Sequence, residues 1–313
     1  MGTIFERVTG APAGLWELEG RGRLRVTGGD RIRFIDGMLT CAVEGLGPGA
    51  AAPGLALDRK GHILGLLWVL RLDDALLIEA ETGASVDLAQ TLERYVIADD
   101  VQIEDLREPW GELSVEGPGS AAAVLERTGV WPEPGRGEAS EDGLLWLGGG
   151  ALGEEGARVL GPRSDLEALR AQLALPEVRA EHAEVLRIHA FRPRCGVDLG
   201  ERSLPAEGPF ADRISFTKGC YLGQEIVSRI QSRGGVHHKL VRLSATAPVA
   251  PGARIRLDAA ERGVVTSAVT HPALGTHALG RLRHESPEPG LAVEIDSVPG
   301  EIVEVPRAFD STR

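Results

Sequence analysis

Cysteine is scarce in this sequence. The chain of 313 residues contains three cysteines, Cys41, Cys195 and Cys220, which lie far apart. An odd number of isolated cysteines argues against a disulfide framework and is typical of a reducing compartment. Because no two of them are spaced C-x-x-C, we expect no metal or cluster site made wholly by this chain.

Long hydrophobic runs and an excess of positive charge are also missing. The longest apolar run, residues 63–70, is far shorter than the about 20 residues that a membrane-spanning helix needs. The first ten residues, MGTIFERVTG, lack the basic and apolar regions of a secretory signal. The net charge of −12 argues against a sequence-independent nucleic-acid binder. We therefore expect a cytoplasmic protein that binds neither membranes nor nucleic acid directly.

The first two thirds of the chain combine strand-like and helix-like patterns in a composition typical of soluble proteins, with 42% hydrophobic and 26% charged residues. Strand and helix patterns occur twice in a similar order, at 23–27 and 85–96 and again at 111–116 and 119–128. We therefore predict an α+β fold with two related lobes, residues 1–105 and 106–236. Residues 131–142 are rich in glycine, proline and glutamate, which predicts an exposed, mobile loop.

The last third of the chain has a different pattern. Short alternating runs are separated by proline and glycine turns, at 240–243, 253–257, 263–269, 277–282 and 291–295. Short strands with frequent turns are typical of a small β-barrel. The sequence therefore predicts a C-terminal barrel over residues 237–313.

The residues best suited to chemistry lie just before this barrel. Lys218-Gly219-Cys220 places a thiol beside an ammonium on a glycine turn, and Gly223-Gln224-Glu225 has the features of a helix start. A lysine and a helix N-terminus both favour the thiolate of a nearby cysteine. Cys220 is therefore a candidate functional thiol with Lys218 as its activator. A small buried cysteine with only a packing role is the alternative.

The run Lys218-Gly219-Cys220-Tyr221-x-Gly223-Gln224-Glu225 resembles the signature of the YgfZ family. Other segments similar to that family extend the resemblance to about residues 15–300; they are 34–40, 57–64, 95–101, Pro193, Gly196-Val197-Asp198, Leu204-Pro205, Glu207, Arg229 and Gly234. The resemblance implies a ring of two α+β lobes with a C-terminal barrel around a folate-sized cleft, as in the glycine-cleavage aminomethyltransferase (T-protein). It also implies that Cys220 faces this cleft or its rim.

The role implied by the family is the assembly or repair of iron–sulfur clusters in client enzymes, including radical enzymes that modify tRNA. The implied ligand is tetrahydrofolate or a related folate. A cluster could be held only transiently and with a partner, because one cysteine supplies one of about four ligands. The implied partners are therefore folate and either iron–sulfur enzymes or cluster carriers.

The expected folate-binding residues surround the motif. They are Arg187, His189, Asp198, Glu207, Tyr221, Gln224, Glu225 and Arg229. Arg187, Arg194 and Arg229 are candidates for the glutamate tail, because a guanidinium binds a carboxylate through two parallel hydrogen bonds. Ordinary surface ion pairs are the alternative for these arginines. His189 stands where the family often has a carboxylate that could bond a pterin ring.

One feature of the T-protein is missing. In that enzyme an acidic pair after the glycine turn supplies the catalytic carboxylate, and the corresponding residues here are Gly65-Leu66. A methylene transfer that depends on this carboxylate should fail, so we expect an accessory factor rather than an enzyme. Two alternatives stay open: a one-carbon folate enzyme (aminomethyltransferase or demethylase) with its carboxylate elsewhere, and a folate-binding module in which Cys220 is structural.

Overall fold

Seven α-helices and sixteen β-strands form within the part of the chain that the computed structural model describes, residues 2–153, 155–283, 287–307 and 309. The helices are α1 Ile4–Thr9, α2 Arg31–Met38, α3 Leu88–Glu93, α4 Ser120–Thr128, α5 Arg163–Leu173, α6 Ala180–His189 and α7 Gln224–Arg233, with short 3-10 helices at Pro205–Glu207 and Ala211–Arg213. The strands are β1 Gly14–Glu17, β2 Gly22–Thr27, β3 Ala51–Leu57, β4 Ile63–Arg71, β5 Leu76–Thr82, β6 Gln102–Asp105, β7 Trp110–Glu116, β8 Gly137–Ala139, β9 Leu145–Gly148, β10 Gly156–Pro162, β11 Lys239–Ala245, β12 Arg254–Leu257, β13 Ala260–His271, β14 Gly275–Leu282, β15 Ala292–Ile295 and β16 Val298–Glu304. Within the described ranges, no helix is long and apolar enough to cross a membrane.

The first sheet is antiparallel, with the strand order β3-β4-β5-β2-β6. Because side chains alternate between the two faces of a strand, Ile78 and Glu79 of β5 point to opposite sides. Ile78 packs with Ile35 of α2 and Leu92 of α3 in one buried cluster. Complete burial of such a side chain contributes about 1.5–3 kcal/mol. The opposite face, which carries Glu79, is called the inner face of this sheet below.

The second sheet has the strand order β1-β7-β10-β9-β8. Val115 of β7 packs with Val124 of α4 and Leu166 of α5 on one side. The alternate residues of the same strand, Glu112 and Glu116, are buried on the other side. This second side is the inner face of the second sheet.

The inner faces of the two sheets meet. An apolar cluster joins them, with Leu70 and Leu77 from the first sheet and Leu145 and Leu160 from the second. Charged residues also cross between the sheets, because Arg158 of β10 forms an ion pair with Glu79 of β5. The chain therefore buries both faces of each sheet, with helices outside and the partner sheet inside.

The glycine-rich segment 131–142 was predicted to be an exposed loop, and this prediction is wrong in part. The segment contains β8, which pairs with β9 at the edge of the second sheet. Gly137 is buried at the start of this strand, and a side chain there would come within 2.6 Å of Leu70. Glycine is needed at this position because Leu70 packs closely against it. From the sequence alone, the same glycine indicates a turn.

The last six strands close into a barrel in the order β11-β14-β13-β12-β15-β16. Its core contains fully buried aliphatic residues such as Val241, Leu243, Ile255 and Ile295. The predicted C-terminal barrel and the two sheet-and-helix lobes are confirmed. Strand β1 lies in the second sheet although it precedes the first in sequence, and the lobe boundaries at residues 105 and 236 stay a prediction.

Candidate functional site

A cavity of about 460 Å³ lies between the inner faces of the sheets and helix α6. Its volume falls within the range of about 300–1,000 Å³ that is usual for small-molecule sites. Helix α6 contributes Ala180, Ala183, Glu184 and Arg187, whose spacing places them on one face of the helix. The apolar lining includes Trp16, Leu66, Trp68, Phe191 and Phe210. A ligand with an aromatic ring system would fit such a wall.

A buried ion-pair cluster forms one wall of the cavity. The Glu79 carboxylate accepts a hydrogen bond of 2.7 Å from Arg158 and another from Arg21. Arg21 also bonds Glu81 over 3.1 Å, and the Arg158 guanidinium lies 5.0 Å from the centre of the Trp68 ring. Burial costs are offset only where charges are paired in this way, so this wall is preformed and rigid.

Glu112 lies behind this wall without a hydrogen bond to either carboxyl oxygen. Its nearest cations are Arg23 and Arg158, each 3.8 Å away. Burial, followed by repulsion from the Glu79 carboxylate, raises the pKa of Glu112 to about 7. Glu112 is therefore a buried group that can change its charge near neutral pH.

Arg187 lines the cavity, yet its donors are used inside the protein. Its five N–H groups donate to both oxygens of Glu184, to Ser267 Oγ, to the Arg192 carbonyl and to Asp198 Oδ2. A guanidinium has five such donors. In this structure Arg187 therefore has no donor left for a folate tail, and its contact with folate stays a prediction.

Asp198 is equally occupied. Its Oδ2 accepts from Arg187 and from the Arg194 backbone over 2.9 and 3.0 Å, and its Oδ1 accepts from Thr266 and Ser267 over 2.6 and 2.7 Å. With all four acceptor sites used, Asp198 holds helix α6, the following loop and the barrel together. The contacts of Asp198 in this structure are structural, and its contact with folate stays a prediction.

Two other predicted folate residues face the barrel and are not among the residues that line the cavity. The His189 ring lies 5.4 Å from that of His277, and burial, then Arg242 and His277, lower its pKa. Glu207 bonds Arg281 over 3.1 Å. Neither can contact a ligand in this cavity, because each is held at the barrel.

The remaining predicted ligands belong to the Cys220 side of the molecule. Tyr221 belongs to the segment just before helix α7 and is buried, and this burial raises its pKa to about 12. Gln224 begins helix α7, and Glu225 pairs with Arg229 one turn later over 2.7 Å. Within the described residues none of the four lines the cavity. The predicted folate-binding residues therefore do not form one site, and four of them lie in the region around Cys220.

The charged residues of the cavity wall were missed in the sequence. Glu79 and Arg158 each interrupt an apolar stretch of a strand, in LLIEA and GARVLG. A buried charge requires a partner of opposite sign. Two opposite charges within apolar strands could therefore have predicted that these strands lie against each other.

Cys220 lies in an exposed position on the loop before α7. The loop is docked on the first lobe, where the Leu222 N–H donates to the Gly37 carbonyl over 3.0 Å. Gly223 has a φ of +83°, and a side chain there would come within 2.7 Å of the Asp58 carbonyl. Only glycine fits this turn, which fixes the position of the thiol relative to the β3–β4 turn.

Lys218 anchors this loop. Its ammonium donates to the carbonyl oxygens of Asp36, Leu39 and Cys41 and pairs with the Asp36 carboxylate over 3.1 Å. The side chain is 4% exposed. Since its three donors are used there, Lys218 is a structural anchor of this loop, and its role as activator of Cys220 stays a prediction.

The three thiols differ in accessibility. Cys41 and Cys195 are buried and half-buried, and burial raises their pKa values to about 11 and 12. Cys220 is exposed. The described residues contain no group of three or more His, Cys, Asp or Glu side chains that could hold a metal ion. Cys220 is thus the thiol that a partner can reach.

The position of the missing acidic pair lies on β4. Gly65 pairs with Thr82, whose methyl group leaves no room for a side chain. Leu66 is buried and lines the cavity. An apolar side chain therefore stands at this part of the cavity, where a carboxylate would be required for proton handling.

Comparisons with known proteins agree with this geometry. The model of the family described as "GCVT N-terminal domain" matches residues 7–130. A putative chloroplastic transferase of Arabidopsis thaliana, At1g60990, is 28% identical and covers 91% of this chain and 69% of its own. The tRNA-modifying protein YgfZ of Colwellia psychrerythraea is 24% identical over 70% of this chain and 68% of its own. The human mitochondrial iron–sulfur cluster assembly factor IBA57 is 26% identical over 79% and 72%.

The glycine cleavage aminomethyltransferase T of Bartonella henselae has a similar structure. Its TM-score is 0.85 with 21% identity, over 98% of this chain and 89% of that chain. This likeness confirms the T-protein-like fold. The chain is thus similar in sequence to a YgfZ protein, to an iron–sulfur cluster assembly factor and to a GCVT-type domain, and similar in fold to the T-protein.

Proposed function

We propose that this protein is a cytoplasmic, folate-binding accessory factor for the assembly or repair of iron–sulfur clusters, and that it acts through Cys220. The clients would include radical enzymes that modify tRNA. This proposal is supported by the names of two relatives, an iron–sulfur cluster assembly factor and a tRNA-modifying protein. The exposed position of Cys220 on an anchored loop is the observation that carries it.

The chemistry of the thiol is consistent with work on a partner. A thiolate is the form that binds iron or attacks a disulfide, and it must be reachable. One thiol supplies a single ligand, so the other ligands of a cluster, about three, would come from a client or a cluster carrier. Burial keeps Cys41 and Cys195 out of this role.

The cavity is the proposed site of tetrahydrofolate or a related folate. Its volume, its aromatic wall and its arginines suit a ligand with a ring system and carboxylates. Leu66 in place of a carboxylate favours binding without turnover. The ligand site and the thiol lie in separate places on the protein. Folate would therefore act as a bound regulator or structural group and would not react with Cys220.

A complementation assay tests the role of the thiol. Cells lacking the gene would receive the wild type, Cys220→Ala or, as matched control, Cys195→Ala, and the activity of a cluster-dependent tRNA-modifying enzyme would be measured at equal protein abundance. We expect Cys220→Ala to fail and Cys195→Ala to restore activity. Full rescue by Cys220→Ala would refute the thiol role and leave folate binding as the function.

A one-carbon folate enzyme is the second candidate, because the solved relative is an aminomethyltransferase. The cavity carboxylates nearest to such a role, Glu79 and Glu81, are engaged with Arg158 and Arg21. Purified protein would be given methylenetetrahydrofolate and an amine acceptor. Turnover that is lost in Glu81→Gln would establish the enzyme; absence of turnover with retained folate binding supports the accessory role.

A further inference from the structure

Six arginines line the cavity; Arg194 is exposed, and the other five fall into two groups according to their partners. Arg21, Arg158 and Arg187 are paired with carboxylates. Within the part of the chain that the structure describes, the side chains of Arg192 and Arg213 donate to carbonyl oxygens only. The second group carries positive charge that no carboxylate in contact neutralises.

Arg213 lies at the end of a short 3-10 helix and is half-buried in the cavity wall. Its Nη1 donates to the Leu67 carbonyl over 3.1 Å, and this is its side-chain hydrogen bond within the described residues. The bond fixes the direction of the guanidinium and leaves its other N–H groups for a ligand. Glu79 is held by Arg21 and Arg158, and Asp212 is exposed beside Arg213 without an ion pair to it in the described part of the chain.

The Arg192 guanidinium is attracted by the buried Glu116 carboxylate and repelled by the charges of Arg158 and Arg213. It donates to the Gly150 and Gly153 carbonyls over 2.6 and 2.7 Å, so it holds the glycine-rich loop that forms another wall of the cavity. Burial lowers the pKa of both arginines, that of Arg192 to about 10. The free protein therefore holds two positive charges at a cost that a bound anion would relieve.

We propose that Arg213, flanked by Arg192, forms an oxyanion subsite of the cavity that binds a carboxylate of the ligand. The inference rests on the proposed function for the identity of the ligand: in a folate the carboxylates are those of the glutamate moiety. Arg213 is then the group that selects acidic ligands, whereas the aromatic wall contributes affinity without regard to charge. Arg187, with every donor used, does not take part.

Matched ligands separate charge recognition from ring recognition. Binding of folate and of folate diamide, in which both glutamate carboxylates are primary amides, would be measured by calorimetry with wild type and Arg213→Gln. A charge-assisted hydrogen bond to the half-buried arginine predicts that Arg213→Gln weakens folate binding ~10- to 100-fold. The affinity for the diamide should stay within about twofold, and the two ligands should become equal in the variant.

A second measurement guards against misfolding. Because Arg213→Gln removes a poorly compensated charge, the ligand-free variant should melt at the same temperature as the wild type or at a higher one. Folate should raise the melting temperature of the variant less than that of the wild type. Arg254→Gln is the control, since Arg254 is exposed on the barrel, paired with Glu261 and outside the cavity; it should bind both ligands like the wild type.

The outcomes are distinct. An equal loss of folate and diamide binding in Arg213→Gln, or no loss of either, would overturn the subsite but not the folate function. Binding of inorganic phosphate or glutamate alone at the affinity of folate would show a general oxyanion site and overturn the assignment to folate. A wild-type protein that binds neither folate nor its diamide would overturn the proposed folate function as well.

Discussion

Arg158 of the second sheet donates a hydrogen bond of 2.7 Å to the Glu79 carboxylate of the first sheet. Both side chains are at most 3% exposed, and the same guanidinium lies over the Trp68 ring. The two sheets are therefore joined by a buried charge pair at the place where the cavity forms. Breaking this pair tests whether the cavity wall also holds the lobes together.

Arg158→Met should destabilise the protein by about 3–5 kcal/mol, because it leaves the Glu79 carboxylate buried with a single remaining cation, Arg21. Urea unfolding followed by circular dichroism measures the change. The control is Arg25→Met, which removes an exposed pair with Asp74 of 2.9 Å and should cost less than about 1 kcal/mol. Equal effects of the two substitutions would mean that the inter-sheet pair is energetically unimportant.

Glu112 gives the protein a pH dependence of known sign. Its pKa is about 7 in the folded state and 4.5 as the ordinary value. Between these values the folded protein holds a proton that the unfolded chain has released, so this contribution to stability is complete below pH 4.5 and is lost as the pH rises through about 7. The unfolding free energy of the wild type should therefore fall relative to that of Glu112→Gln between pH 4.5 and 7.5. Parallel profiles for the two proteins would contradict the raised pKa.

The sequence predicted the elements that depend on local pattern. Alternating runs indicated the barrel strands, and the motif around Cys220 indicated a glycine turn followed by the start of a helix. Contacts between distant segments were not predictable: Lys218 reaches back to Asp36, 182 positions earlier, and Arg187 is used up by Glu184, Asp198 and Ser267. From the residue type alone, Lys218 and Arg187 were each expected to be free for a functional role. The fold provides hydrogen-bond acceptors that occupy the N–H groups of both side chains.

The three thiols should react in a defined order. Iodoacetamide at pH 8 should alkylate Cys220 in the native protein, while Cys41 and Cys195 stay unmodified until urea is added, because burial both shields these two and raises their pKa values to about 11 and 12. Mass spectrometry of peptides taken at timed intervals would show the order. Modification of Cys195 as fast as Cys220 would show that the half-buried site opens readily.

Substitution of Lys218 distinguishes an anchor from an activator. Lys218→Met removes the cation that three carbonyl groups and the Asp36 carboxylate share, so it should destabilise the protein by about 3 kcal/mol. It should also release the loop to proteolysis around residues 215–223. Under conditions where the variant remains folded, alkylation of Cys220 should proceed at the wild-type rate or faster, because the donors of the ammonium are taken by other partners. A marked slowing of Cys220 alkylation, measured beside an Arg229→Gln control, would restore Lys218 as an activator and contradict its assignment as an anchor.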